Sequence, residues 1–249
     1  MKNIKKFGLV GKKIEYSFSR NFFSKKFSSD SKFSNYYYNN YDIESINDIN
    51  KIFNTDDLYG LNVTIPYKEK VISYLDRVSE EAREIGAVNT ICFENGNKVG
   101  YNTDLYGFTE SLKLNKIENI ESILILGTGG AAKTVTHYSI KNNIHYNLVS
   151  RQKSNLHLSY SDLNEDNFKK RLLIVNCTPV GTYPDVDKCP DLPYELINKK
   201  SIFFDLVYNP PETLFIKKGK EIGCKTLNGH EMLRLQAEKS LKIWLDWIE

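Results

Sequence analysis

Ser122-Ile123-Leu124-Ile125-Leu126 runs directly into Gly127-Thr128-Gly129-Gly130-Ala131-Ala132, and a helical pattern follows. The first five residues read as a buried parallel strand. The join fits GxGxxG/A, with Gly127, Gly129 and Ala132 in the three small positions. That spacing permits a tight turn and close backbone approach to a pyrophosphate. The free N–H groups and dipole of the helix N-terminus would favour the anion. Glycines also make ordinary strand–helix turns, so the βαβ context, more than the glycines, points to a dinucleotide held by Gly127, Thr128, Gly129, Gly130 and Ala131.

The following strand, Ile144–Val149, is expected to end beside an adenosine ribose, where an NAD site carries Asp or Glu. Here the chain reads Ser150-Arg151-Gln152-Lys153. No acid and two cations suit a 2′-phosphate, through the planar fork of Arg151 and the charge of Lys153, so NADP is the expected cofactor. A solvated basic turn is the plain alternative. Further on, Val175-Asn176-Cys177-Thr178-Pro179-Val180-Gly181-Thr182 turns from a strand end into a small-residue loop. Ligands in open α/β sheets sit at such ends, which makes Thr178 a cofactor-side candidate.

Outward from this unit, apolar stretches at 4–10, 36–42, 58–65, 87–94, 121–126, 144–149, 171–175 and 201–206 read as strands. Helical windows at 45–54, 78–85, 105–114, 131–142 and 212–222 alternate with them. The alternation predicts an α/β fold with mostly parallel sheets. In the last stretch Leu233, Ala237, Leu241, Trp244 and Ile248 form one apolar helical face. At 249 residues the chain accommodates two domains. Expected are an α/β domain over 1–104, completed by a C-terminal helix over 232–249, and a Rossmann-type doubly wound domain over 105–231.

Composition narrows the function. A net charge of +3, with lysines mixed among acids, gives no basic face for nucleic acid. The four cysteines and four histidines are scattered without metal-ligand spacing, so no metal is expected. The basic start is followed by too short an apolar run for a signal, and no run of about 18 apolar residues occurs. These features predict a cytoplasmic protein with no membrane partner, acting on a small molecule.

Polar motifs fill the first domain. Asn62-Val63-Thr64-Ile65-Pro66-Tyr67-Lys68 alternates as a strand would, placing Asn62 and Thr64 on one face. Ser17 and Ser19 share a face if extended. Gly86-Ala87-Val88-Asn89-Thr90 and Gly100-Tyr101-Asn102-Thr103-Asp104 add amides, hydroxyls and a carboxylate. Each alone would be turn chemistry or a surface strand.

Together and in this order, these motifs with the GTGGAA loop and Gly229-His230-Glu231-Met232-Leu233-Arg234-Leu235-Gln236-Ala237 closely resemble the shikimate dehydrogenase family, from Ser17 to Gln236. The resemblance implies an N-terminal α/β substrate domain and an NADP-binding Rossmann domain. It also implies reversible NADPH-dependent reduction of 3-dehydroshikimate to shikimate, a step of aromatic amino acid biosynthesis. By position, Lys68 and Asp104 would be the catalytic pair. Ser17, Ser19, Asn62, Thr64, Asn89, Tyr208 and Gln236 would face the substrate, and Gly229 and Met232 the nicotinamide. The chemistry agrees, since ketone reduction needs a hydride and a proton, and an ammonium beside a carboxylate can supply the proton. The chain departs from the family pattern at Lys13, Tyr16 and Arg20, where Pro, His and Pro are usual. It departs again at Leu105, in place of glycine, and at Ser150-Arg151-Gln152, in place of Asn-Arg-Thr.

Two other readings are open to the sequence: a quinate/shikimate dehydrogenase using NAD, or a non-catalytic dinucleotide-binding regulator. The two serines and the basic turn at Arg151 weigh against the first. The intact Lys, Asp and amide set weighs against the second. Monomer and homodimer are equally compatible with the sequence, and domain closure on ligand binding is expected.

Overall fold

In a computed structural model the chain is described over residues 4–15 and 17–248 and is α/β throughout. It divides into two compact units, Met1–Tyr106 with Arg234–Glu249, and Gly107–Leu233. Tyr16 lies outside the described residues.

The first unit carries β1 (Lys5–Gly11), α1 (Phe18–Ser28), β2 (Tyr36–Asp42), α2 (Ile49–Phe53), β3 (Leu58–Val63), β4 (Arg77–Val78), α3 (Glu80–Ile85), β5 (Thr90–Glu94) and β6 (Asn97–Tyr101). Its sheet runs β2-β1-β3-β5-β6-β4. Three of its five pairings are parallel, and β3–β5 and β5–β6 pair antiparallel. The β5–β6 pairing follows from a hairpin at Asn95-Gly96, both with positive φ, which returns the chain at once and needs no crossover.

Strand alternation sends Phe7, Leu9 and Cys92 into an aromatic core with Phe23, Phe27, Tyr38 and Trp244. It sends Val10, Leu61, Val63 and Ile91 into a second core with Ile49, Ile52 and Ala82. Trp244 belongs to the terminal helix α8 (His230–Asp246), which buries Ala237, Leu241 and Trp244 along the anticipated face. Gly60 is what lets that helix approach: a Cβ there would overlap the Trp244 indole, whose Nε1 donates to Ile91 O at 2.9 Å.

The second unit follows α4 (Asp104–Leu114) with β7 (Ser122–Leu126), α5 (Gly130–Lys141), β8 (His145–Ser150), β9 (Leu158–Ser159), α6 (Glu165–Phe168), β10 (Leu172–Asn176), β11 (Ile202–Asp205), α7 (Leu214–Ile222) and β12 (Lys225–Leu227). Its sheet is wholly parallel in the order β12-β11-β10-β7-β8-β9. Counted from β7 this is the 6-5-4-1-2-3 order of the dinucleotide-binding fold, and the order reverses between β7 and β10. Burial on both faces accounts for the unbroken apolar runs of β7, β10 and β11. Among the described residues, no helix is long and apolar enough to cross a membrane.

Candidate active site

The site in the first unit lies on the α8-facing side of the sheet, at the end of β3. Lys68 comes from the turn after β3, where Tyr67 N bonds Thr64 O at 2.9 Å and Val88 N bonds Lys68 O at 2.8 Å. Asp104 opens α4, whose first turn is capped by Asn102 Oδ1 accepting from Leu105 N at 3.2 Å. The Lys68 ammonium donates to Asp104 Oδ2 at 2.6 Å, with the side chains only 17% and 8% exposed.

Asp104 is held from its other side by Asn89 Nδ2, 2.9 Å from Oδ1. The same nitrogen reaches Thr103 Oγ1 at 2.9 Å and Gln236 Oε1 at 3.2 Å. Asn89 Oδ1 accepts from Thr103 N at 2.7 Å, which fixes which end of the amide faces Asp104.

Beneath this lies a layer of hydroxyls. Ser240 Oγ is 2.8 Å from Thr90 Oγ1 and 3.1 Å from Thr103 Oγ1, and it donates back to Gln236 O at 2.9 Å. Asn62 Nδ2 reaches Ser240 Oγ at 3.0 Å, and Asn62 Oδ1 accepts from the Tyr38 hydroxyl at 2.8 Å. Burial pushes the Tyr38 phenol well above its usual range, and a hydrogen bond from Ser19 draws it partly back. Lys68, Asp104, Asn89, Gln236, Asn62 and Ser19 thus belong to one buried, mutually bonded polar network, the condition under which such groups are tolerated.

Other sequence-selected residues sit differently. Ser17 and Ser19 do not share an extended face, because α1 begins at Phe18. Ser17 is its N-cap, accepting from Arg20 N at 3.3 Å. Thr64 lies one residue past the end of β3 at Val63, and its N still bonds Val10 O at 2.9 Å. Among the described residues, no side-chain bond of Ser17 or Thr64 reaches the network. Lys13 adopts φ 59, a value closed to proline, and Asp42 holds the turn by accepting from Lys13 N and Ile14 N at 3.0 and 3.1 Å.

Tyr38 and Ser240 join the network without being singled out in the sequence, and Thr90 and Thr103 enter it as the hydroxyls of their motifs. Ser240 carries a usable signal, since it falls four residues after Gln236 on one helical face. Tyr38 carries none, for in a run of YYYNNYD any ring could point inward.

In the second unit the glycine-rich turn opens α5. Gly127 has φ 111, and a Cβ there would come within 3.1 Å of the Thr178 methyl. Gly129 caps α5 without a side-chain bond, and a Cβ on it would meet nothing within 4 Å. Thr128 is exposed, while Gly130 and Ala131 form the first turn of the helix.

β8 ends at Ser150, half-buried, followed by exposed Arg151 and Lys153. Lys153 pairs with Asp162 at 2.9 Å. Hydrogen bonds from Ser159 and then Lys153 hold that carboxyl down at about 2. Part of the Lys153 charge is therefore already answered. Thr178 gives its hydroxyl to Asn176 Oδ1 at 2.6 Å. Tyr208 is half-buried just past β11. Gly229 admits no side chain, because Leu206 O occupies the space, and Met232 packs into the core with Ala132 and Phe204. Among the described residues, no group of three potential metal ligands gathers.

A doubly wound sheet with this turn, in one chain with a buried lysine–carboxylate pair, is the build of a two-unit α/β dehydrogenase. Residues 9–91 match the family model described as the shikimate dehydrogenase substrate binding domain. The NADP(+) shikimate dehydrogenase of Methanococcus vannielii is 38% identical, over 95% of this chain and 90% of the relative. Two solved structures are similar over 98% of this chain. Shikimate dehydrogenase 1 of Peptoclostridium difficile gives a TM-score of 0.85 at 38% identity over 92% of its length. The Thermus thermophilus shikimate 5-dehydrogenase, in complex with NADP(H) and shikimate, gives 0.86 at 28% identity over 94%. The chain belongs to the shikimate dehydrogenase family.

Proposed function

We propose that this protein catalyses the reversible, NADPH-dependent reduction of 3-dehydroshikimate to shikimate. The observation that carries the reading is the Lys68–Asp104 pair, 2.6 Å apart and bonded into a buried amide network. Bound NADPH would supply the hydride.

Lys68 Nζ stabilises the negative charge that grows on the carbonyl oxygen and gives that oxygen a proton. Asp104 Oδ2 keeps the ammonium aimed, and Asn89 stops the carboxylate from turning. In the reverse direction the same pair takes the hydroxyl proton. Thr64, Asn89 and Gln236 present amides and a hydroxyl to the substrate ring, with Tyr208 as a further donor, while Asn62, bonded to Tyr38 and Ser240, braces the layer beneath. Ser17 spends an oxygen lone pair on Arg20 N and keeps its proton for the substrate carboxylate, beside Ser19.

The turn at Gly127–Ala131 fits a pyrophosphate, since it leads into the N-terminus of α5 with open space beside Gly129. Arg151 is the principal partner for a 2′-phosphate, as Lys153 is shared with Asp162. Ser150 and Thr178 border the same ligand, and Gly229 and Met232 border the nicotinamide. On this reading Met1–Tyr106 with Arg234–Glu249 holds the substrate, and Gly107–Leu233 holds NADP. The setting implied is the cytoplasm, as a monomer or homodimer acting on small molecules alone.

The test is absorbance at the nicotinamide band with shikimate or quinate and NADP+ or NAD+. Shikimate with NADP+ is expected to give the highest kcat/KM of the four combinations. No shikimate-dependent reduction of NADP+ would defeat the proposal.

A further inference from the structure

Outside the Lys68 network, the second unit buries a carboxylate that the proposed chemistry does not use. Asp205 ends β11 with no exposed surface, and among the described residues no cation pairs with it. An unpaired buried carboxylate is costly unless donors surround it. Here the donors come from three different segments. Asn176 Nδ2 and Val207 N reach Oδ1 at 2.9 and 3.0 Å, and Oδ2 accepts from Thr213 Oγ1, the N-cap of α7.

Two of these bonds lead into loops. Asn176, in register with Asp205, also gives Nδ2 to Val180 O at 3.2 Å and takes Thr178 N and Oγ1 on Oδ1 at 3.1 and 2.6 Å. One amide thus braces the turn 176–180 at Thr178 and Val180, and that amide is oriented by Asp205. Val207 lies between Leu206, whose N bonds Asn176 O at 3.0 Å, and Tyr208; its own O accepts from Gly229 N at 3.2 Å. The second loop, 206–209, thus takes the other bond of the same oxygen, at Val207 N. Oδ1 therefore bonds both the loop carrying Thr178 and the loop carrying Tyr208, beside the direct Leu206 N–Asn176 O bond between them.

We infer that Asp205 is a positioning residue that sets the Thr178 loop for the cofactor and the Tyr208 loop for the substrate, an inference that rests on the function proposed above. It touches neither ligand. A neutral amide of the same shape can do the work, because Asn Oδ1 still accepts from Asn176 and Val207 while its Nδ2 donates to Thr213 Oγ1.

The test compares Asp205→Ala, Asp205→Asn and Asn176→Ala by steady-state kinetics, NADPH fluorescence titration and melting temperature. Asp205→Ala is expected to raise KM for both NADP+ and shikimate by about tenfold, the scale of a lost hydrogen bond to a charged group. Asn176→Ala should raise the NADP+ value alone by a similar factor and leave that for shikimate within about twofold. Asp205→Asn should stay within about threefold of wild type on both.

If the alanine variant at position 205 yields no folded protein, the other two variants decide. A lowered melting temperature with wild-type KM values would make Asp205 merely structural and overturn the inference, as would Asn176→Ala with unchanged NADPH affinity. A wild type inactive on shikimate defeats the functional reading instead. In that event weakened NADPH binding by Asn176→Ala still supports the loop assignment, and unweakened binding overturns it.

Discussion

Asn89 and Asp104 are joined by a 2.9 Å hydrogen bond that gives the carboxylate a fixed orientation before any ligand arrives. Asn89 is itself pinned by Thr103 N, so rotation of the amide would break a backbone bond as well. Asp104 therefore offers Oδ2 to Lys68 in one direction only, the kind of preorganisation on which a proton-transfer site depends.

Asn89→Ala removes a donor to a buried carboxylate and the acceptor of a buried N–H. A stability loss of about 1–3 kcal/mol is expected, together with a fall in kcat/KM for shikimate of at least about tenfold. Urea unfolding and initial rates check it. Wild-type kinetics in a folded Asn89→Ala protein would remove Asn89 from the site.

Arg151 is the test of cofactor choice. Arg151→Gln keeps length and loses the charged fork, so KM for NADP+ should rise by about tenfold while NAD+ kinetics hold steady. Selectivity unchanged by this variant would move the 2′-phosphate contact elsewhere.

Asp205 makes a prediction about pH. Burial raises its carboxyl from an ordinary 3.8 to about 6, against opposing hydrogen bonds from Thr213, Val207 and Asn176. The folded state thus holds this proton more tightly than the unfolded chain. The resulting stability is complete below about pH 4 and is lost as pH rises through 6, amounting to no more than about 3 kcal/mol. Asp205→Asn carries no charge at any pH. Its stability relative to wild type, from urea unfolding, should improve between about pH 4.5 and 7.5, the span that brackets the raised value. A gap independent of pH would show that Asp205 titrates normally.

The second unit is largely legible in the sequence because its physics is local. A buried strand, glycines where the backbone must turn, and a helix start follow one another within eleven residues, and β7 and α5 lie where the sequence places them. The first unit is less so. Helix α1 escapes a reading by periodicity because its face is made of Phe23 and Phe27 amid Ser, Lys and Arg, with no long apolar stripe. The short strands β4, β9 and β12 hold two or three residues each, too few for a period to register.

Within the site, motif order points to Lys68, Asp104, Asn89 and Gln236, but not to the hydroxyl layer beneath them. Ser240 stands 150 positions from Thr90, and no local pattern encodes that contact. Asn62 shows the same limit from the other side. The motif assigns it to the substrate, yet its oxygen takes the proton of Tyr38 and its nitrogen serves Ser240.

The central claim is that Lys68 handles the proton. Lys68→Ala, measured by steady-state turnover of shikimate and NADP+ beside an NADPH fluorescence titration, addresses it most directly. Turnover is expected to fall by about 10²-fold or more, the scale of a lost acid–base group, with NADPH affinity unchanged. A Lys68→Ala enzyme turning over at near the wild-type rate would contradict it.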